Sequence, residues 1–214
     1  MNQANGLPEF QISPDADLPV SPACLRNQQP IAEVLARELP EHSVVLEVGS
    51  GTGQHAAFMT SWMPNLTWQP SEIASRLAEI NAWRLRTGSE NFLPPLVLDV
   101  AQDLWPVKQV DAVFSANVIH YISWAKVRSM LEGIGRVTRV GGLVFFYGPY
   151  NYEGRFTSEG NAALDAWLKA DIDPEAGIKD FDQILLAARR EKLRLVKDIE
   201  MPANNRILMF KKFD

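Results

Sequence analysis

The chain has 214 residues, 46% hydrophobic and 22% charged, enough for a full core in one domain and too apolar for general disorder. A formal charge of -5 argues against broad affinity for nucleic-acid backbones or anionic lipid, which requires clustered Lys and Arg. Cys24 is the only cysteine, which excludes an intramolecular disulfide and a thiolate metal cage. The start MNQANGLPEF lacks a basic head and apolar run, and no later stretch has the length of a bilayer span, so a soluble cytoplasmic protein is expected.

Residues 1–25 contain Pro8, Pro14, Pro19 and Pro22 with little periodicity and are expected to form an extended arm, leaving 26–214 as the domain. Ile31, Val34, Leu35 and Leu39 recur at helical spacing from Pro30, and Pro40 closes the pattern. A buried strand is expected over 43–48, a helix through Phe58, Met59, Trp62 and Met63 up to Pro64, and a second strand over 66–69. There follow a helix (74–86), strands (96–100 and 110–115), a helix (123–138) and a strand (143–147). The loop-rich insert 148–179 has a helix near 161–169, and a further helix covers 181–192. Two final strand-like runs, 193–200 and 206–213, are joined by the turn-forming Met201-Pro202-Ala203-Asn204-Asn205, which suggests an antiparallel hairpin at a sheet edge. Alternating helices and strands predict an α/β fold of Rossmann-like type: one mostly parallel, seven-stranded sheet with helices on both faces.

The segment VVLEVGSGTGQHA places Gly49, Gly51 and Gly53 at the junction of the first strand and the next helix. Such a turn lets a ligand approach backbone N–H groups at a positive helix end; close packing alone would also explain it. The dinucleotide fingerprint G-x-G-x-x-G is not met, because Gln54 stands where its third glycine belongs, and this counts against NAD. The spacing E-x-G-x-G-x-G from Glu47 instead resembles class I S-adenosylmethionine-dependent methyltransferases. The resemblance extends to Glu72 at the end of the second strand, to Leu98-Asp99-Val100, to Ser115-Ala116-Asn117-Val118-Ile119-His120 and to Arg139-Val140-Gly141-Gly142. It implies S-adenosyl-L-methionine as cofactor and S-adenosyl-L-homocysteine as product. Glu47, Gly49, Ser50, Gly51 and Gly53 would form the cofactor loop. Glu72 would accept the ribose hydroxyl hydrogens, Asp99 would meet the adenine amino group, Val100 would cover the ring, and Asn117 would lie beneath the methionine part.

Methyl transfer chiefly needs alignment and exclusion of water, with a base where the acceptor bears a proton. His120, just past the fourth strand, is the candidate base, since a parallel sheet gathers ligands at its carboxyl edge. Tyr147 and Tyr150 leave the fifth strand at that edge and join it as catalytic candidates, although tyrosines also anchor loops. Asn151, Asn204 and Asn205 are candidate substrate contacts, the Asn pair being a good turn former as well. Arg26 and Asn27, placed just before the first helix, would hold the cofactor carboxylate. His55 is expected to orient the glycine turn and His42 to be exposed; three scattered histidines make no metal site.

SPACLRNQQPI, SGTGQHAAF, WQPSE, ANVIHYISW, FYGPYNYEGRFTSEGNA and MPANN resemble a poorly characterised "methyltransferase-like" group of the same superfamily. The segment Asn117-Val118-Ile119-His120 lacks the prolines of base-amino methyltransferases, which with the acidic charge disfavours DNA. A small-molecule acceptor methylated on O, N or S is the first expectation. A protein or RNA acceptor, a non-catalytic S-adenosylmethionine sensor or partner protein, and a nicotinamide oxidoreductase are the alternatives.

Overall fold

Strands whose successive side chains enter opposite layers form the centre of the protein, which a computed structural model describes over residues 18–214. Residues 1–17, most of the expected arm, lie outside the described residues. The strands β1 (Val44–Val48), β2 (Thr67–Glu72), β3 (Leu96–Val97), β4 (Val110–Ala116) and β5 (Thr138–Gly148) are mutually parallel. β6 (Leu193–Met201) and β7 (Asn205–Lys212) form the expected edge hairpin, with β7 antiparallel to β5. The order β3-β2-β1-β4-β5-β7-β6 reverses direction between β1 and β4, the topological switch point at which open α/β sheets place ligands.

Both faces of the sheet are covered. Val45, Phe145, Tyr147, Ile207 and Met209 enter one layer with α1 (Pro22–Glu38), α2 (Gln54–Trp62) and α3 (Leu77–Thr87). Leu46, Val48, Val144, Phe146, Leu208 and Phe210 enter the other with α4 (Trp124–Val137) and α6 (Phe181–Arg190). α4 supplies Val127, Met130, Leu131, Ile134 and Val137 at helical spacing. Each large side chain withdrawn from water here contributes about 1.5–3 kcal/mol. α5 (Glu159–Trp167) belongs to the insert between β5 and α6 and ends in a π-helical turn, Leu168–Ile172.

Three elements depart from the sequence-based expectation. α1 starts at Pro22, eight residues earlier than Pro30, because the Ser21 side chain accepts the Cys24 N–H at 3.5 Å and Pro22 suits a first turn. Pro30 therefore lies inside the helix, the last residues of the expected 1–25 arm from Pro22 are helical, and Arg26 and Asn27 lie within the helix rather than just before it. β3 stops at Val97 because Asp99 folds into its own turn, its Oδ1 accepting Ala101 N–H at 2.9 Å. β5 begins at Thr138, directly after α4, with an irregularity opposite Val110–Ala112.

The turn from β1 to α2 depends on its glycines for two different reasons. Gly53 has φ +87, and a Cβ there would lie 2.8 Å from Ile80 Cα on α3, so the position is closed by packing. Gly51 has φ +55 but would meet only Arg76 Nη1 at 3.8 Å, an ordinary contact with the far end of a flexible side chain, so packing does not close the position. Gly53→Ala should therefore lower unfolding free energy by about 2–4 kcal/mol, the sum of left-handed strain and overpacking, while Gly51→Ala should cost about 1–2 kcal/mol. Urea denaturation of the two variants checks this, and equal costs would contradict the packing assignment.

Candidate functional site

Because β1 to β5 are parallel, their carboxyl ends bring together the glycine turn, Glu72, Asp99, Asn117 to His120 and Tyr147 to Asn151. The 201–205 link returns to the same edge, as Gly148 pairs with Arg206 and Met201 with Asn205. The backbone of the glycine turn is largely committed to the protein itself. The Gly49 and Ser50 N–H groups both donate to the Ser71 carbonyl, at 3.1 and 3.0 Å, and Gly53 N–H donates to the Ser50 carbonyl at 2.9 Å. Gly51 N–H donates to Glu72 Oε2 at 2.9 Å. The expectation of free N–H groups offered to a ligand is thus corrected: these four point inward or to the Glu72 carboxylate.

Glu72 is held by two backbone donors, Gly51 N–H on one oxygen and Ile73 N–H at 2.8 Å on the other. A carboxylate has about four acceptor sites, so one on each oxygen remains for a pair of neighbouring hydroxyls. Asp99 uses Oδ1 for its own turn, and its Oδ2 has no hydrogen bond among the described residues. Val100 is half-buried against the second core layer, and Asn117 takes a left-handed conformation (φ +61) with its N–H donating to the Tyr147 carbonyl at 2.8 Å. Thr52 Oγ1, within the turn, is buried without a hydrogen-bond partner among the described residues.

Glu47 and Ser50 lie beneath the turn. Glu47 is 1% exposed, accepts Trp68 Nε1–H at 3.0 Å, and its backbone carbonyl accepts the Ser71 hydroxyl at 2.7 Å. Ser50 Oγ accepts Ser71 N–H at 3.2 Å. Both support the turn from below rather than presenting a free side chain. Burial pushes the Glu47 carboxyl up to about 7, opposed by hydrogen bonds from Trp68 and Ser50 and aided by the Glu72 charge.

The first turns of α1 close over this edge. Ser21 N–H donates to Gln54 Oε1 at 2.8 Å, and Trp83 Nε1–H donates to the Pro19 carbonyl at 2.9 Å. Asn27 is buried with its Oδ1 2.8 Å from His55 Nε2, which assigns the ring hydrogen to that nitrogen and leaves Nδ1 facing Cys24 Sγ at 3.7 Å. Burial lowers His55 to about 4, so it stays neutral, and its ring contacts α1 rather than the glycine turn it was expected to orient. Burial raises the Cys24 thiol, which favours its protonated form. Burial also raises Tyr147, with Asn27 and Arg26 beside it opposing the rise; Arg26 itself is exposed.

His120 is 4% exposed and lies at the end of β4, where a Cβ on Gly148 would stand 3.4 Å from its Nδ1. Burial first, and the Lys179 charge second, lower it to about 4. Lys179 carried no sequence signal, because it sits past the FYGPYNYEGRFTSEGNA segment in a part of the insert without a motif; only the folded insert brings it to this edge. Gly177 N–H donates to the His120 carbonyl at 2.9 Å and Asn151 N–H to the Lys179 carbonyl at 3.0 Å, fastening the insert to both strand ends. Asn151 Oδ1 is buried with no donor among the described residues, a cost of about 1–3 kcal/mol until one is supplied.

Two expected site residues do not fit their assigned roles. Tyr150 is 1% exposed in the α4–α6 layer, near Tyr152 and Asp198, whereas Tyr147 lies in the α1–α3 layer. Burial raises the Tyr150 phenol far above its ordinary value, and its place is the core rather than the pocket. Asn205 turns back on its own loop, its Nδ2 donating to the Pro202 and Ala203 carbonyls. Asn204 is exposed in a left-handed conformation, and its backbone carbonyl accepts from Asn161 Nδ2 at 3.4 Å. His42 is exposed, as expected. A separate apolar groove of about 490 Å³, lined by Leu185, Leu186, Leu193 and Phe213, lies near the amino end of β5 and is remote from these groups. Among the described residues no helix is long and apolar enough to cross a membrane.

Solved structures share this fold. An O-methyltransferase family protein from Burkholderia thailandensis superposes with TM-score 0.77 at 15% identity, covering 90% of this chain and 58% of that one. An O-methyltransferase family 2 protein from Planctomyces limnophilus, in complex with apigenin, gives 0.75 at 14%, covering 89% and 60%. Human N-acetylserotonin methyltransferase in complex with S-adenosylmethionine gives 0.70 at 16%, covering 89% and 56%. The chain thus has the Rossmann-like class I methyltransferase fold and spans a little over half the length of those proteins. Residues 18–212 match the model of DUF938, described as a protein of unknown function, and the chain belongs to that family.

The buried ionisable groups give stability opposing pH dependences. Glu47 binds a proton more tightly folded than unfolded, so its contribution is greatest below about 4.5 and is lost as pH rises through about 7. His55 and His120 bind a proton less tightly folded, so theirs is lost as pH falls from 6.5 toward about 4. Glu47→Gln should raise unfolding free energy at pH 8 by about 2–3 kcal/mol with little gain at pH 5. Denaturation at the two pH values measures this; an equal effect at both would contradict it.

Proposed function

We propose that the chain is an S-adenosylmethionine-dependent methyltransferase of a small-molecule acceptor, methylated on oxygen, nitrogen or sulfur. One observation carries this reading: Glu72, fixed by two backbone N–H groups, presents its remaining acceptor sites beside a turn left open at Gly51. That arrangement suits the vicinal hydroxyls of a nucleoside. It suits a dinucleotide poorly, because the Gly51 N–H that a pyrophosphate would need already serves a carboxylate. Similar solved structures, one in complex with apigenin and one with S-adenosylmethionine, support the same direction.

The residues at this edge have the chemistry such a cofactor calls for. Glu72 would hold the ribose, Asp99 Oδ2 the adenine amino group, and Val100 the face of the ring. Arg26 and Asn27 would stand toward the cofactor carboxylate, with Asn117 beneath the methionine part. When bound, S-adenosylmethionine supplies an electrophilic methyl on a sulfonium whose bond electrons remain with the sulfur. His120 is neutral above about pH 5 and accepts the acceptor's proton. The covering insert and the first turns of α1 limit water. Tyr147 stays protonated and can donate a hydrogen bond.

A second reading, a cofactor-binding protein without turnover, draws on the low basicity of His120 and the withdrawal of Tyr150 into the core. Incubation with methyl-labelled cofactor and a metabolite extract separates the two. Label is expected in a small molecule; tight cofactor binding with no labelled product supports the second reading. Glu72→Ala should weaken cofactor binding at least tenfold, and His120→Ala should lower kcat about 100-fold while changing cofactor affinity less than threefold. Unchanged turnover removes His120 from the base role. With His120 near 4 in the free protein, kcat/KM should fall only below about pH 5.

A further inference from the structure

A second charged side chain stands at the glycine turn, opposite in sign to Glu72. Arg76 closes the short helical turn Ala74–Arg76 that follows β2, its N–H donating to the Ile73 carbonyl at 3.1 Å. That turn leads directly into α3, whose Ile80 packs so closely on Gly53 that a Cβ there would lie 2.8 Å from Ile80 Cα. The backbone at Arg76 is therefore anchored to the glycine turn, while its side chain is exposed. Among the described residues, Arg76 Nη1 alone comes within 4 Å of where a Cβ on Gly51 would stand, at 3.8 Å. The same Gly51 gives its N–H to Glu72 Oε2 at 2.9 Å. A carboxylate and a guanidinium thus meet at one glycine, on the side that packing does not close. No ion pair or side-chain hydrogen bond engages the guanidinium among the described residues.

We propose that Arg76 is a second sugar-binding residue of the cofactor site, its guanidinium donating to the vicinal hydroxyl oxygens whose hydrogens Glu72 accepts. This rests on the methyltransferase reading and deepens it at the cofactor end. Each ribose hydroxyl is donor and acceptor at once, and a carboxylate satisfies only the donor. The guanidinium has donors alone, and its parallel N–H groups suit two neighbouring oxygens. The combination also selects among ligands. A phosphate here would meet the Glu72 charge and a cationic group would meet Arg76, whereas a neutral diol is repelled by neither. Because Arg76 is not paired with Glu72, the diol enters between them without breaking an ion pair.

Calorimetric titration with S-adenosylhomocysteine and with its 2′-deoxy analogue tests this on wild type, Glu72→Ala, Arg76→Ala and Arg76→Gln. The Arg76 side chain is exposed, so both of its variants should keep the wild-type melting temperature, which is checked first. Both should bind S-adenosylhomocysteine about tenfold more weakly than wild type. With the 2′-deoxy analogue, which offers the guanidinium a single hydroxyl oxygen, that loss should shrink to about threefold or less. A role in folding alone would weaken both ligands alike. Wild-type affinity in the two Arg76 variants, or an equal loss with the two ligands, overturns the inference; the cofactor reading still stands in that case if Glu72→Ala weakens S-adenosylhomocysteine. Failure of the wild-type protein to bind S-adenosylhomocysteine overturns the cofactor reading and this inference with it.

Discussion

The candidate site depends on one constraint: the end of β2 is tied to the turn after β1 through Gly51 N–H and the Glu72 carboxylate. Ser71 reinforces the tie, accepting from Gly49 and Ser50 and donating through its hydroxyl to the Glu47 carbonyl. Without this clamp the turn would have to satisfy its N–H groups with solvent or an anion. With it, the turn becomes a neutral wall whose open side faces a fixed carboxylate. The charge that wall favours is positive or hydroxyl-rich, not phosphate.

Charge at the remainder of the edge is governed by burial. Glu47, His55 and His120 are all nearly inaccessible, and each is driven toward its uncharged form. Neutral imidazoles serve two different ends here. His55 spends both nitrogens on Cys24 and Asn27 and fixes α1 over the sheet, whereas His120 is lowered by burial and, secondarily, by the Lys179 charge. Desolvation disfavours the protonated form of both rings, so each stays an uncharged imidazole.

The strand and helix succession was legible because the apolar runs have strand length and the helices carry periodic faces; the edge hairpin followed from Met201 to Asn205. The acids at strand ends were legible as well, since parallel strands align their carboxyl termini whatever the packing. Three features were hidden. Pro30 masked the true start of α1, which a capping Ser21 and an acceptable Pro22 decide. Which face Tyr147 and Tyr150 take depends on the strand's end at Gly148, and a three-residue separation places them in opposite layers. Lys179 became part of the edge only through long-range backbone pairing with Asn151, which no local pattern encodes.

The most direct test of whether the Glu72 carboxylate holds a nucleoside is an amide NMR titration with S-adenosylhomocysteine. The account predicts saturable shifts at Gly51 and Ile73, the two N–H donors to Glu72, with little change around the remote groove at Leu193 and Phe213. Unmoved Gly51 and Ile73 amides, or shifts centred on that groove, would contradict it.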